Sequence, residues 1–571
     1  MSTRDCNEFT LITGRTRFQA ISMESSGKFG KEYEKSVAVV YMNPTDIDKL
    51  KLNNMVRIIS NNRIIVLPVK EDPSLPNRVI FIPIGPWSNF LISSKSIVGM
   101  PNYKSVKVCV EKVNNDESLP HLEDLFASIG RPFITFTGKD LVEQYGVCNN
   151  GVKLATCTFC GAVCSNIVIK VCGNTVLEVL DGCSISVSKF INRHRNRVLR
   201  PLIRIPNSFE FKEVTLPIAM NKAVDILLNS KHPLIYGLSS TSNEAIEIAI
   251  EIARILKGAI DSTASICHGP TLLGLDGAIM KSFKLDMLSD IDTVVIWGAN
   301  PAEAHPKLMY IIKKYVKSIA VIDVRESETM KMADIGLIIE PGKDLKLIRT
   351  IRSIIKGYKN GVKLMNIDTD IIERFVKILL NTKKGVIFTG LGLSMNRARF
   401  MNIVELVELV KELNDYGEWY LQPLRGHFNV TGTNILLKNS TGYPFAVDFY
   451  SDTPIMAPGV TTAIDLLKNR EVDSVIVIAS DPAAHMPNEC VEILAELPLI
   501  VIDSRWSLTA SLADVVIPTC LTGIECEGSI YRMDYKMIKV NKVIDPPESM
   551  LCDVDVLRML LDHIKKGLGY D

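Results

Sequence analysis

Two hydrophobic rhythms divide the chain. Over residues 1–112 the apolar positions fall in short runs rich in Val and Ile: VAVVYMN, MVRIISNN, RIIVLPVK and VIFIPIG. Asn, Gly and Pro lie between them as turn residues, and such a pattern predicts strands. No long 3.6-residue period interrupts them, so the region reads as all-β. A small closed barrel buries strands of this kind and removes their edges. A polar, acidic stretch opens at about residue 113 and reads as a linker, over 113–149, leading into a larger region.

From about residue 150 strands alternate with amphipathic helices. PLIYGLS is followed by NEAIEIAIEIARILK, and SIAVIDV by KDLKLIRTIRSIIKGY. This alternation predicts parallel sheets covered by helices. The second half also echoes itself: DTVVIWGANPAEAHP at 292–306 matches DSVIVIASDPAAHMP at 473–487, and VIDVRESETMKMADIGLIIEP at 321–341 matches VIDSRWSLTASLADVVIPT at 501–519. Asn300 precedes Asp323 by 23 residues and Asp481 precedes Asp503 by 22. Two ordered matches at nearly equal spacing point to duplicated α/β units, each ending a buried strand in a polar loop. Ligands of open α/β sheets bind outside the carboxyl ends of strands, so two such units suit two similar halves of one cofactor system. The alternative is two unrelated layers that share common turn residues.

At 571 residues the chain exceeds what one core fills. Its 47% hydrophobic and 23% charged residues are those of a folded protein, and 65 basic against 64 acidic side chains leave a formal charge of +1. Without a concentrated basic face, nucleic-acid binding is disfavoured. The first residues, MSTRDCNEFTLITG, lack the features of a signal peptide, and no run of 18 apolar residues predicts a transmembrane segment. Both observations favour the cytoplasm. In that reducing compartment the 13 cysteines are better explained by metal ligation or burial than by disulfides.

Cys157, Cys160, Cys164 and Cys183 follow C-x2-C-x3-C-x18-C. Four thiolates suit a [4Fe-4S] cluster or tetrahedral zinc. Zinc favours paired knuckles, so the one-sided triad with a remote fourth fits a cluster better, with small Gly161 and Ala162 letting the loop turn closely. Cys172, in the alternation VIKVCGN, reads as a core residue. In ASICHGPT, Gly269 and Pro270 shape a tight turn that presents Cys267 and His268. A thiolate there suits molybdenum or tungsten, and an imidazole can move a proton. A thiol nucleophile with a histidine base, or a buried structural pair, fits the spacing equally well.

Taken together these residues resemble formylmethanofuran dehydrogenase over nearly the whole chain. Residues 8–112 resemble its D subunit, a small molybdopterin-dinucleotide-binding domain, through LITGRT, NPTDIDKL, FIPIGPWSN and GMPNYK. Residues from about 150 resemble its catalytic B subunit through CTFCGAVC, ICHGP, WGANPAEAHP, PLRGHFNVTG, TGYPFAVDF, SDPAAHMP and GIECEGSIYRMD. The family belongs to the broader molybdopterin oxidoreductases related to formate dehydrogenases. The chain thus looks like a D–B fusion with the D-like part first.

The resemblance implies a double-psi-like barrel (1–112), the linker (113–149), a [4Fe-4S]-binding segment (150–200) and an α/β molybdopterin-binding catalytic region (201–571). It implies tungsten or molybdenum held by two molybdopterin guanine dinucleotides, with Cys267 on the metal and His268 beside it, and one [4Fe-4S] cluster on the four cysteines named above. The implied activity is reversible reduction of carbon dioxide to formate for the formation of formylmethanofuran. Implied partners are an amidohydrolase-like subunit that makes this product, the other formylmethanofuran dehydrogenase subunits, and a polyferredoxin or other iron–sulfur electron donor. A related formyltransferase/hydrolase complex lacks the metal chemistry, and the retained CTFCGAVC and Cys267 argue against that relative. A scaffold role in such a complex, or a formate dehydrogenase without methanofuran, are the alternatives.

A guanidinium matches a carboxylate, which makes Arg425 the candidate to orient formate or polarise carbon dioxide, with His427 assisting. Alternatively Gly426 makes a tight loop that both side chains cap. Pyrophosphate and guanine need backbone N–H groups, short turns and carboxylate or amide contacts. Candidates are Asn300, Asp323, Arg325, Gly342 and Asp344 for one dinucleotide and Asp481, Asp503 and Arg505 for the other. Gly14, Arg15, Thr16, Trp87 and Asn89 would close the site from the small domain.

Overall fold

In the computed structural model the described residues are 6–113, 117–127, 129, 131, 133, 150–206, 208–358 and 369–570. The short Val/Ile runs close on themselves. Strands Glu8–Gly14, Val79–Pro83, Val40–Met42, Arg63–Glu71, Met55–Ser60 and Val106–Glu111 follow one another around a six-stranded closed barrel. Glu8–Gly14 runs parallel to Val79–Pro83 and antiparallel to Val106–Glu111. Leu11, Val56, Ile58, Leu67, Ile80 and Val110 fill the interior.

The all-β expectation for this region is corrected. Helices Arg17–Ser26, Lys31–Val37, Pro44–Leu50 and Pro86–Phe90 lie between the strands. Their signals are caps rather than periodicity. Thr16 Oγ1 accepts from the N–H of Gln19 at 3.1 Å, and Asn43 Oδ1 from that of Thr45 at 2.9 Å, just before Pro44. The first helix buries Gln19, Ser22 and Glu24, so it has no apolar stripe to read. The preference for free cysteines is also corrected. Cys6 and Cys109 form a disulfide with Cα atoms 5.5 Å apart, because pairing of Glu8 with Cys109 draws the first described residues alongside the last barrel strand. Cys172 is buried in the core, as read, and is disulfide-bonded as well. The proposed linker falls largely outside the described residues; within it Leu122–Leu125 is a short helix.

Beyond the barrel, strands Asn150–Ala155, Ile167–Cys172 and Thr175–Leu180 make a small antiparallel sheet, and the first three clustered cysteines sit in the loop between its first two strands. Two larger sheets follow. One is parallel and five-stranded, in the order Ile335–Ile338, Ser318–Asp323, Thr293–Trp297, Lys384–Thr389, Glu418–Pro423. The other has nine strands, and its parallel centre runs Val515–Ile517, Leu499–Ile502, Ser474–Ile478, Pro233–Gly237, Ala259–Ser262. The five-stranded unit is thus inserted between two adjacent strands of the nine-stranded sheet, Ala259–Ser262 and Val447–Asp448. The central strands are buried along their length, as expected of parallel sheets covered on both faces. Among the described residues no helix is long and apolar enough to cross a membrane.

The echo in the sequence is an echo in hydrogen bonds. Thr329 donates its N–H and hydroxyl to Asn300 Oδ1 at 3.2 and 2.6 Å, and Thr509 donates the same two groups to Asp481 Oδ1 at 2.9 and 2.7 Å. The two threonine oxygens accept from Ala302 and Ala483 N–H, each at 3.0 Å. Further along, Asp334 Oδ2 accepts from the Ile319 N–H and Asp514 Oδ2 from the Leu499 N–H, both at 2.8 Å. Gly298 and Ala479, at equivalent places just past their strands, both take positive φ, 60° and 47°. Two ordered strand-end devices with the same donors and acceptors are the mark of a duplicated unit. They differ in charge: the acceptor is a neutral amide in the first and a carboxylate in the second.

That difference sets a measurable asymmetry. Thr329→Val removes a hydroxyl bonded to a neutral acceptor, and Thr509→Val one bonded to an ionised acceptor. The first is expected to cost about 1 kcal/mol and the second about 2 kcal/mol of stability, measured by chemical unfolding. Equal losses would mean that the charge on Asp481 adds nothing.

Candidate functional site

The carboxyl ends of both sheets and one flank of the barrel enclose a single large cavity, about 3180 Å³ of atom-free space counted out to its mouth. From the first unit Asn300, Asp323, Arg325, Gly342 and Asp344 line it; from the second, Asp481, Asp503 and Arg505; from the barrel, Gly14, Arg15 and Thr16. Cys267, His268 and His427 stand on its wall. Trp87, Asn89 and Arg425 do not. Trp87 is buried and donates from Nε1 to Pro120 O at 2.9 Å, while Asn89 Nδ2 donates to Ala484 O at 3.1 Å. Asn89 thus ties the barrel to the second unit and Trp87 ties it to the segment that follows it, and neither lines the cavity.

Cys267 arises from a bend, not from a strand. After Ala259–Ser262, the N–H groups of Cys267, His268 and Gly269 converge on Ala264 O at 3.0, 2.8 and 2.7 Å. Gly269 and Pro270 then open the helix Gly269–Leu275 instead of merely shaping a turn. Upstream, Asp261 accepts from the hydroxyl of Ser265 at 2.7 Å and from the N–H groups of Ala446 and Ala463 at 3.1 and 2.8 Å, which locks the bend in place. Burial pushes the Cys267 thiol up from its usual range, while Arg15 and Arg425 pull it back.

His268 is committed within the chain. Nε2 is 3.0 Å from Leu424 O, so Nε2–H is the donor there, and Nδ1 is 3.1 Å from Thr271 Oγ1. Burial and the Arg425 charge hold its pKa well below the ordinary value. His427, with Nδ1 at 3.3 Å from Ser240 Oγ, is likewise kept neutral by burial first and by Arg15 second. Arg425 lies just behind the wall. Its Nη2 donates to Asn434 Oδ1 at 2.6 Å, and its buried Nη1 has no partner.

The carbonyl of Arg425 is the junction of the site. It accepts from the N–H of Gly161 at 3.1 Å and from Nε2 of His305 at 2.9 Å. A Cβ on Gly161 would lie 2.7 Å from that oxygen, so the cysteine loop needs glycine here for close backbone approach. Cys157, Cys160, Cys164 and Cys183 line a second, smaller cavity with about 380 Å³ of atom-free space. Phe159, Ile185, Ala304 and His305 are walls of both cavities. Burial raises the thiols of Cys157, Cys160 and Cys164, and their mutual proximity raises them further. Among the described residues no group of three or more His, Cys, Asp or Glu side chains stands in an arrangement that could hold a metal ion.

Sequence reasoning missed several wall residues. Lys28 pairs with Asp481 at 2.7 Å and Glu24 with Arg505 at 2.6 Å, both from the helical stretch hidden in the region read as β. Lys104, His305 and His485 also face the cavity and were present in the GMPNYK, AEAHP and AAHMP strings. Asp553 carried no signal.

The molybdopterin oxidoreductase family matches residues 197–563, and the molybdopterin dinucleotide binding domain matches residues 9–107. The B subunit of tungsten-containing formylmethanofuran dehydrogenase 2 from Methanocaldococcus jannaschii is 37% identical over 431 residues, covering 73% of this chain and 99% of the relative. Its counterpart in Methanococcus maripaludis is 34% identical, covering 72% and 98%. Among solved structures, a chain of the formyltransferase/hydrolase complex of Methylorubrum extorquens with methylofuran aligns at TM-score 0.53 and 18% identity, over 65% of this chain and 100% of that one. Acetylene hydratase from Pelobacter acetylenicus aligns at 0.55 and 13%, over 72% and 69%. The last two likenesses concern the fold alone.

Burial works against ionisation of Asp481, but Lys28 and the donors of Thr509 overcome it and hold the carboxyl below its ordinary value. Lys28→Met leaves that charge buried without its partner and is expected to cost about 3–5 kcal/mol. Adding Asp481→Asn should restore most of the loss. The stabilisation from the lowered carboxyl is present above its unfolded value near ~3.9 and is lost as pH falls through the folded value. The Lys28→Met penalty should therefore shrink in acid; a penalty unchanged below about pH 3 would show that it is not electrostatic.

Proposed function

The chain belongs to the molybdopterin oxidoreductase family and groups with the formylmethanofuran dehydrogenase B subunits, its dinucleotide-binding barrel placed first, and on that premise we propose that it interconverts carbon dioxide and formate for formylmethanofuran formation. It is an oxidoreductase. The observation that carries the reading is the shared wall. The four-cysteine cavity and the Cys267 cavity meet at Phe159, Ile185, Ala304 and His305, so a one-electron group and a two-electron group would sit side by side.

The donor types suit those groups, although the described side chains are not arranged as a metal site. Four thiols around one small cavity are the donor set of a [4Fe-4S] cluster, and Cys157, Cys160, Cys164 and Cys183 would hold it. Cys267 would ligate tungsten or molybdenum, both of which accept sulfur. The duplicated walls would hold two molybdopterin guanine dinucleotides: Asn300, Asp323, Arg325, Gly342 and Asp344 around one, Asp481, Asp503 and Arg505 around the other, with Gly14, Arg15 and Thr16 at the barrel side. When bound, the metal–pterin group supplies two-electron chemistry at carbon and the cluster supplies its electrons singly.

The chain's own part is binding and orientation. Arg425, just behind the wall, has a buried Nη1 without a partner and a charge felt at Cys267, a donor that an anionic carboxylate would satisfy. His268 holds Leu424 and so the start of the PLRGHF loop, while neutral His427 offers a polar ring at the wall without adding charge. Formate made here would pass to an amidohydrolase-like subunit that forms formylmethanofuran, with a polyferredoxin or other iron–sulfur protein as electron donor, in the cytoplasm.

Anaerobically purified protein is expected to carry about four irons per chain, tungsten or molybdenum, and pterin that yields a guanine nucleotide on hydrolysis. It should oxidise formate with an artificial one-electron acceptor. Fully loaded protein without formate chemistry would sink the reading, and iron-free, pterin-free native protein would favour a scaffold subunit. Arg425→Lys keeps the charge but loses the planar fork. It should lower turnover at least about tenfold, equivalent to about 1.4 kcal/mol, while leaving metal content intact. Unchanged turnover removes Arg425 from the site.

A further inference from the structure

A third set of cysteines lies apart from both sets described above. Cys520 and Cys526 are nearly fully buried, and Cys552 is half-buried. They are brought together by backbone pairing rather than by sequence proximity. The Cys520 N–H donates to Leu551 O at 3.0 Å, and its thiol donates to Met550 O at 3.3 Å, which sets Cys520 against the residues just before Cys552. Thr522 bridges to Cys526, and the Gly523 N–H donates to Cys526 O at 2.8 Å, so the loop folds Cys526 back beside Cys520. This folding brings the sulfurs of Cys520 and Cys526 close enough to that of Cys552 for each to perturb the others' ionisation.

Cys552 differs from its neighbours in chemistry. It is the N-cap of the helix Asp553–Gly567, whose acidic first turn is offset by the aligned N–H groups of the helix end. It lies beside the Cys520 and Cys526 thiols and near the Lys542 ammonium, and these neighbours favour thiolate against the burial that opposes it. It is also the most accessible of the three. Its two neighbours are held as thiols, with their pKa values raised by Cys552 beside them and by burial. A nucleophilic thiolate with two thiols within bonding reach has the parts of an exchange site.

We propose that Cys552, Cys520 and Cys526 form a reversible dithiol–disulfide site that reacts with low-molecular-weight disulfides. The Cys552 thiolate attacks one sulfur of the incoming disulfide; a new S–S bond forms, the old one breaks, and one equivalent of the small thiol leaves. The thiol of Cys520 or Cys526 then loses its proton and attacks Cys552 Sγ, releasing the second equivalent. Two protein thiols are oxidised to one disulfide, and one small disulfide is reduced to two thiols. The third cysteine stays reduced and can exchange into the bridge, since it too lies beside Cys552.

The site's position gives this chemistry a structural outlet. Cys520, Thr522 and Asp553 also line the large cavity, and Thr522 O accepts from the hydroxyl of Thr158, inside the cysteine loop, at 2.9 Å. Asp553, next to Cys552, holds the Thr241 hydroxyl on that wall and leaves Oδ1 without a partner. A bridge formed here draws on backbone that the cofactor cavity shares.

The test is a thiol map of the full-length, cofactor-bearing protein under anaerobic conditions. The reduced protein is treated with a small aromatic disulfide, free thiols are alkylated, and the peptides carrying residues 520, 526 and 552 are analysed by mass. The expected result is release of two equivalents of aromatic thiol and a bridge that always includes Cys552, reversed fully by dithiothreitol. Cys552→Ser should abolish the bridge and leave Cys520 and Cys526 alkylated as in reduced protein, while buried Cys490 reacts only after denaturation. Should that variant fail to fold, the wild-type map decides by itself. A Cys552 that stays free, a mixed disulfide on Cys552 that never resolves, or stoichiometric zinc or copper held by the three thiols in the reduced protein would overturn the proposal.

Discussion

A carbonyl oxygen has two lone pairs, and in this fold both of those on Arg425 are used to hold separate parts of the site together. One accepts from Gly161 in the cysteine loop and the other from His305 at the end of the AEAHP turn. A buried carbonyl in this position would be costly if left unpaired. The loop carrying three of the four clustered cysteines, the first duplicated unit and the PLRGHF segment can therefore reach low energy only in mutual register. Gly161 is the enabling residue, because a side chain would meet that same oxygen at 2.7 Å. The shared wall between the small and large cavities is a consequence of this contact.

The barrel is held over the cavity by a different kind of contact. Lys28 and Glu24, from the segment around one short helix, reach Asp481 and Arg505 in the second unit, and Arg325 of the first unit stacks 4.4 Å over Phe81 and pairs with Asp72 at 3.3 Å. Largely buried ion pairs seldom add much net stability, but breaking one leaves a charge stranded. Their effect is selectivity of placement: the barrel fits over the cavity only where each charge finds its partner. The amide at Asn300 needs no such counter-ion and the carboxylate at Asp481 does, so the duplication has diverged where the barrel helix docks.

Much of this was legible in the sequence, and what was legible had a physical period. The Val/Ile runs became barrel strands, the strand–helix alternation became two parallel-centred sheets, and the two matched strings reappeared as matched hydrogen bonds, Thr329 to Asn300 and Thr509 to Asp481. The candidates Asn300, Asp323, Asp344, Asp481 and Asp503 all reached one cavity, because strand ends in open α/β sheets converge. What escaped lacked a period. The helix Arg17–Ser26 buries Gln19, Ser22 and Glu24, so its inner face reads as polar and the charged anchors Glu24 and Lys28 went unnoticed. Trp87 and Asn89 sat in a strong motif, yet a motif can mark an interface as well as a ligand contact. The disulfide Cys6–Cys109 spans 103 residues and could not be read from local spacing.

Chain order places the barrel first, and the contacts explain why order matters little here. The barrel touches the first unit through Arg325 and Asp72, and the second through Lys28, Glu24 and Asn89. None of these contacts depends on which terminus carries the barrel. A connecting segment has only to span the distance, at an entropy that grows slowly with its length. Ion pairs, a neutral hydrogen bond and a shared apolar core, not covalent sequence, therefore set where the barrel goes. In this chain a rearranged order leaves the enclosed space with walls from both duplicated units and the barrel, Cys267 among them.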